Sequence, residues 1–367
     1  MTSPSTPYLA VDPAALDANI ASMAARAADL GIALRPHAKT HKCVEIARRQ
    51  LEAGAVGLTV ATVGEAEVFD DAGVDDLFLA YPVWADDEKA RRLRAVAERA
   101  RLRVGADSVE GAERLGRALA GTGAQAVVEI DSGHHRTGVA PDRVVEVARA
   151  ALAAGLDVAG VFTFPGHGYA PDARPRAARD EAGALAAGAA ALESAGIDAP
   201  VRSGGSTPTA GLVEAGALTE LRPGVYVCRD AQQVELGAAT WDDVALWAVS
   251  TVVSRGPGRA VLDAGSKILG ADRPAWATGF GRLPDHAGAR ITALSEHHAT
   301  VEFPPGADVP ALGQRVRVVP NHVCAAVNLV DELHVLGVAG DGGGCGAGAA
   351  DRPVDDVWLV VARGRNA

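Results

Sequence analysis

The chain has 367 residues, 48% of them hydrophobic but only 4% aromatic, so its core must be built from alanine, valine and leucine. With 35 basic and 46 acidic residues the formal charge is -11, which argues against a nucleic-acid or anionic-membrane partner. No apolar run reaches the roughly eighteen residues a membrane span needs, the start Met1–Pro7 is polar, and the four cysteines are widely spaced, so a reduced, cytoplasmic protein is expected.

Tyr8–Val11 reads as a short strand, and Asp12-Pro13 opens a helix that ends at Gly31. Strand-like runs then recur at Ile32–Arg35, Val56–Val60, Asp76–Ala80, Leu102–Val104, Val127–Ile130, Val158–Phe162, Val201–Ser203 and Leu218–Leu221. Helical spacing fills the gaps at Val44–Ala53, Val63–Asp71, Glu88–Arg99, Glu110–Ala120, Arg143–Ala154 and Ala177–Ala195. Eight strand-then-helix units, roughly 15 to 45 residues apart, predict a closed (β/α)8 barrel of the TIM type. An open doubly wound sheet is the alternative, and no Gly-x-Gly-x-x-Gly opens its first crossover.

After about Gln233 the texture changes to alternating runs separated by Gly and Pro turns, at Ala248–Val253, Arg259–Leu262, Ala299–Phe303, Arg315–Val319, Glu332–Leu336 and Val357–Ala362. This predicts a mostly antiparallel β domain. Asp341–Ala349 reads as a glycine-rich surface turn.

In a parallel barrel the chemistry sits just after the strands. Arg35-Pro36-His37-Ala38-Lys39-Thr40-His41-Lys42 follows the first strand and crowds cations together. A desolvated lysine near other cations loses its proton more easily and can attack a carbonyl, so Lys39 is the candidate to carry pyridoxal phosphate. The plain alternative is a basic surface turn. Asp131-Ser132-Gly133-His134-His135-Arg136 follows the fifth strand. Arg136 there suits a fixed phenolate or carboxylate oxygen, or else forms a structural pair with Asp131.

Ser203-Gly204-Gly205-Ser206-Thr207-Pro208 after the seventh strand and Arg222-Pro223-Gly224-Val225-Tyr226 after the eighth are turns suited to phosphate. In the β domain, Pro320-Asn321-His322-Val323-Cys324 reads as a strand end. Extended backbone would turn His322 and Cys324 to one side, where imidazole and thiolate favour zinc over magnesium or calcium. A chance pair is the alternative. His167 could line the pocket, and Glu296-His297-His298 reads equally as a surface turn.

Four of these segments, at residues 35–42, 131–138, 204–208 and 320–324 in this order, resemble the motifs of the fold-type III pyridoxal enzymes that include D-threonine aldolases and D-serine dehydratases. The resemblance covers nearly the whole chain. It implies an alanine-racemase-like barrel over residues 14–233 and a β domain over 234–367 that also takes a strand from residues 1–13. It further implies a homodimer. By position, Lys39 would be the Schiff-base lysine and Arg136 would contact the ring oxygen. Gly205, Ser206, Thr207, Gly224 and Tyr226 would lie near the phosphate, and His322 and Cys324 would hold a divalent metal: zinc first, manganese or magnesium as alternatives.

The activity so implied is a lyase acting on a small D-β-hydroxy amino acid. Similar aldolases tend to carry His-x-Asp at the metal pair and dehydratases His-x-Cys, so Cys324 favours loss of water to a 2-oxo acid and ammonia. Retro-aldol cleavage to glycine and an aldehyde is the alternative, then an amino-acid racemase, then a non-catalytic pyridoxal carrier. The carrier lacks the long β domain. Fungal and animal dehydratases have a tyrosine where this chain has Phe162.

Overall fold

A computed structural model describes residues 4–198, 200–337 and 348–367. The first strand, β1, spans Tyr8–Val11. The next eight are β2 (Ala33–Leu34), β3 (Leu58–Val60), β4 (Asp76–Pro82), β5 (Arg101–Ala106), β6 (Gln125–Glu129), β7 (Asp157–Phe162), β8 (Val201–Gly204) and β9 (Glu220–Leu221). They form one all-parallel sheet in the order β2-β9-β8-β7-β6-β5-β4-β3. A His37–Thr59 bridge, with Thr59 N–H donating to Pro36 O at 2.8 Å, joins the β2 side to β3. The closed (β/α)8 barrel expected from the sequence is met by an eight-stranded parallel sheet that curls until its two ends are linked through this bridge.

Local chemistry fixes the elements. Leu77, Phe78 and Leu79 are fully buried, because parallel strands are covered on both faces. The intervening helices start at side-chain caps: Thr62, Asp86 and Ser108 each accept a backbone N–H three residues on. Helix Val109–Leu119 buries Ala112, Leu115, Gly116 and Leu119, the spacing of one helical face.

The parallel sheet encloses charge as well as apolar surface. Arg35, 1% exposed, donates to Glu220 Oε2 at 2.7 Å and to Asp76 Oδ1 at 2.6 Å. Arg103 and Ser203 add bonds to the same Glu220 at 3.0 and 2.6 Å. Removing one partner from such a network strands the others without water. Glu220→Ala should therefore cost about 3–5 kcal/mol of folding stability, read as a lower urea midpoint.

The remaining strands are β10 (Leu246–Gly256), β11 (Arg259–Leu262), β12 (Arg290–Leu294), β13 (Ala299–Glu302), β14 (Arg315–Val318), β15 (Glu332–Leu336) and β16 (Val354–Leu359). With β1 they form a second sheet in the order β12-β13-β11-β10-β1-β15-β16, with β14 also on β10. Every pairing is antiparallel except β1 with β15. Tyr8, Ala10, Trp247, Val249, Val319, Leu336 and Val354 pack its core.

Two compact units result. One comprises Ala21–Lys39, Ile46–Gly224 and Gly364–Ala367; the other comprises Met1–Ile20, Thr40–Glu45 and Val225–Arg363. The glycine-rich turn expected at Asp341–Ala349 lies outside the described residues over 341–347, as does Cys345.

Candidate active site

Lys39 sits in a single helical turn, Ala38–Thr40, beyond the carboxyl end of β2, and is half-buried. Its Nζ lies 5.5 Å from the centre of the Phe164 ring, and the Arg136 guanidinium lies 5.2 Å from the same ring. Lys39, Tyr81, Arg136, Thr137, Phe164 and Arg222 line one cavity of about 290 Å3. Two sequence-predicted groups are thus brought together across an aromatic face. Arg136 is exposed and does not pair with Asp131, whose oxygens accept from Gly133 N, His135 N and His135 Nδ1. Asp131 closes its own turn because those donors are two and four residues away.

Arg222 was not singled out by sequence reasoning, although its place just after β9 follows the rule that located Lys39. It is 5% exposed, donates to Thr163 O at 2.6 Å, and stacks over Phe78 and Phe162 at 5.4 and 5.3 Å. Its buried Nε has no partner among the described residues. Phe162, where some dehydratases carry a tyrosine, is wholly buried and also packs edge-on against Phe78.

Glu129 ends β6 beside this cavity, and its Oε2 is likewise buried without a partner. Burial pushes its carboxyl up to about 7, against the pull of Thr137 and Arg136.

The glycine turn after β8 is braced from beneath. Gly205 has φ +84°, and a Cβ there would lie 2.2 Å from Leu221 Cδ1, so only glycine fits. Its N–H donates to Glu181 Oε1 at 2.6 Å, and Ser206 N–H donates to Thr209 Oγ1 at 3.1 Å. Ser206 and Thr207 are buried, and Gly224 is half-buried after β9. Tyr226 is fully buried in the short turn Val225–Val227, which belongs to the antiparallel unit.

Glu181, on helix Arg174–Ser194, is completely buried, and burial pushes it up to about 7 against Gly205 N–H and Arg222. The folded chain thus keeps a proton that an unfolded glutamate, with its ordinary value of 4.5, releases earlier. In the cofactor-free protein this contribution should be fully present below about pH 4.5 and lost as pH rises through about 7. Glu181→Gln, which can still accept from Gly205, should flatten that dependence by up to about 3 kcal/mol between pH 4.5 and 8, measured by urea denaturation.

His322 and Cys324 do come together, but not by strand alternation. β14 ends at Val318; His322 stands just before the short helix Val323–Val327, with no side-chain bond to it, and Cys324 lies in its first turn. Five residues, Val-Cys-Ala-Ala-Val, are too few to show a helical period. Burial pushes the His322 imidazole down, but Cys324, by charge and hydrogen bond, with Asp230 and Asp272, raises it to about 9. Cys324 Sγ lies 3.3 Å from Oγ1 of Thr40, the residue after Lys39 in the chain. Among the described residues no group of three or more His, Cys, Asp or Glu side chains is set to hold a metal.

Other candidates separate from the site. His167 Nε2 lies 3.3 Å from Asp180 Oδ2, and His167 is not among the residues lining the Lys39 cavity. Glu296, His297 and His298 are exposed in the β12–β13 hairpin turn. His41 takes a bond from Cys43 N–H, and Lys42 Nζ donates to Asn328 Oδ1 at 2.8 Å, so both brace the loop.

The alanine racemase N-terminal domain family matches residues 11–231. A serine dehydratase domain matches residues 245–336. The D-threonine aldolase of an Arthrobacter species is 34% identical over 374 residues, covering 98% of this chain and 93% of the relative. The chain belongs to the D-threonine aldolase and D-serine dehydratase family of alanine-racemase-like proteins. Within that family, the D-threo-3-hydroxyaspartate dehydratase of Delftia sp. strain HT23 is 35% identical, covering 87% of this chain and 91% of the relative. A solved D-threo-3-hydroxyaspartate dehydratase variant in the metal-free form superposes with TM-score 0.85 at 30% identity, covering 97% of each chain.

The residues present fit a pyridoxal cofactor. One cavity offers an amine for its carbonyl, a fixed cation, and a buried guanidinium whose Nε awaits an acceptor. His322 and Cys324 supply two donors of the zinc type, an imidazole and a sulfur two residues apart, and water or substrate would have to fill the remaining positions.

Proposed function

We propose that this protein is a pyridoxal phosphate- and divalent-metal-dependent lyase of small D-β-hydroxy amino acids, favouring loss of water to a 2-oxo acid and ammonia. The observation that carries this reading is the cavity in which Lys39, Arg136 and Arg222 meet around Phe164. The family relationship supports the substrate class. Cys324, a thiolate where aldolases of this kind tend to carry a carboxylate, supports dehydration over retro-aldol cleavage. Aldol cleavage to glycine and an aldehyde is the second reading, because the Arthrobacter relative bears that name over nearly the whole chain.

Bound pyridoxal phosphate supplies an electron sink for a bond broken at Cα, and the metal supplies a Lewis acid for the β-hydroxyl. Lys39 would offer the amine that holds the cofactor and, as a free amine, a base placed to take a proton from the substrate Cα. Arg136 would hold the cofactor's ring oxygen by charge and geometry. Arg222, buried over two aromatic rings, presents a fixed donor from the cavity wall. Gly205, Ser206, Thr207, Gly224 and Tyr226 lie on the two turns that would hold the phosphate, and Phe164 keeps water from the amine. His322 and Cys324 would hold zinc, with manganese or magnesium less suited to a thiolate. We further place the enzyme in the cytoplasm as a homodimer; among the described residues no helix is long and apolar enough to cross a membrane.

Product analysis separates the readings. Given D-serine, D-threonine and D-threo-3-hydroxyaspartate, the loaded protein should release 2-oxo acid and ammonia. Glycine with an aldehyde would favour the aldolase reading, and interconversion of enantiomers alone would make it a racemase.

A further inference from the structure

Asp230 is 1% exposed and ties two chain segments together. As cap of the helix Ala231–Glu235, its Oδ1 accepts from Gln233 N–H at 3.0 Å. Its Oδ2 accepts from Val323 N–H at 3.1 Å, and Val323 is the residue between His322 and Cys324. The same two segments are joined on either side, by Ala231 N–H to Pro320 O at 3.1 Å and Gln232 N–H to Asn321 O at 3.2 Å. Buried Asn321 then donates to Asp272 O at 2.9 Å and to Gly279 O at 2.8 Å, anchoring the loop whose Asp272 Oδ2 lies 4.0 Å from His322 Nδ1.

We propose that Asp230 is a positioning residue for the metal: it fixes the peptide between His322 and Cys324 and so sets how the two side chains face the ion they would hold. This rests on the assignment of those two side chains as metal ligands. The competing view makes Asp230 a helix cap and nothing more. A cap alone would alter folding stability and leave metal affinity unchanged.

The test uses the full chain loaded with pyridoxal phosphate, with zinc affinity read by competition with a chromophoric chelator. Asp230→Asn should weaken zinc binding by about 10–100-fold, the usual effect of removing a group that orients a ligand. The thiolate-to-metal band of the cobalt-substituted protein should weaken in step, while the melting temperature of the zinc-free protein moves little. Zinc affinity equal to wild type would overturn the proposal. If Asp230→Asn does not fold, Val323→Pro takes its place, because it removes one of the two donors at a first helical position that tolerates proline. Unchanged affinity there would overturn the proposal equally. Wild-type protein that binds no zinc would instead sink the ligand assignment, so the two failures are distinguishable.

Discussion

Lys39→Ala should abolish the visible absorbance band near ~420 nm that marks a lysine-bound pyridoxal, and with it turnover. Loss of a positioned base alone lowers rates by about 10²–10⁴-fold, and loss of the covalent anchor adds to that. The fold should survive. Lys39 is half-buried in a one-turn helix, alanine is the best helix former, and the buried pairs of Arg35 with Asp76 and Glu220 stay in place. Phosphate affinity is expected to persist through the turns at Gly205–Thr207 and Gly224, so the variant should still take up cofactor by dialysis, without the band. A variant that keeps the band on simple mixing would refute the lysine assignment.

Cys324→Ala should remove zinc and lower lyase activity by about a hundredfold or more, while leaving that band intact. The expected size follows from a Lewis acid's contribution of several kcal/mol to a departing hydroxyl. Retention of the band follows from membership of the two units: Lys39, Arg136 and Arg222 lie in the barrel unit and Cys324 in the other. Cysteine is also the more telling ligand to remove. Truncating Cys324 takes away a charged donor, whereas truncating His322 takes away a neutral one. Atomic absorption on the purified variant, beside steady-state rates on D-serine, checks both halves.

Much of this was legible in the sequence because each parallel strand is a short apolar run ended by polar punctuation. Leu77-Phe78-Leu79 reads as a strand without any structure, and Lys39 and Arg136 announce themselves by following strands. The antiparallel unit was harder. β12, Arg290–Leu294, escaped because Arg-Ile-Thr-Ala-Leu has little alternation, yet it pairs with β13 through a register shift. The groups that brace the site were less legible still. Glu181 lies 24 residues before the Gly205 it supports, and Asp230 lies 93 residues before Val323. Neither spacing carries a signal, since the contact exists only once helices and sheets are packed. Arg222 is an intermediate case: its position after β9 was visible, but its burial over two phenylalanines was not.

The most direct measurement is ammonia and 2-oxo acid release from D-serine and D-threo-3-hydroxyaspartate by the pyridoxal-loaded protein, before chelation, after it, and after zinc is restored. The account predicts release from the D enantiomers, its loss on chelation with the visible band retained, and its return with zinc. Full release after chelation, or release from L enantiomers alone, would contradict it.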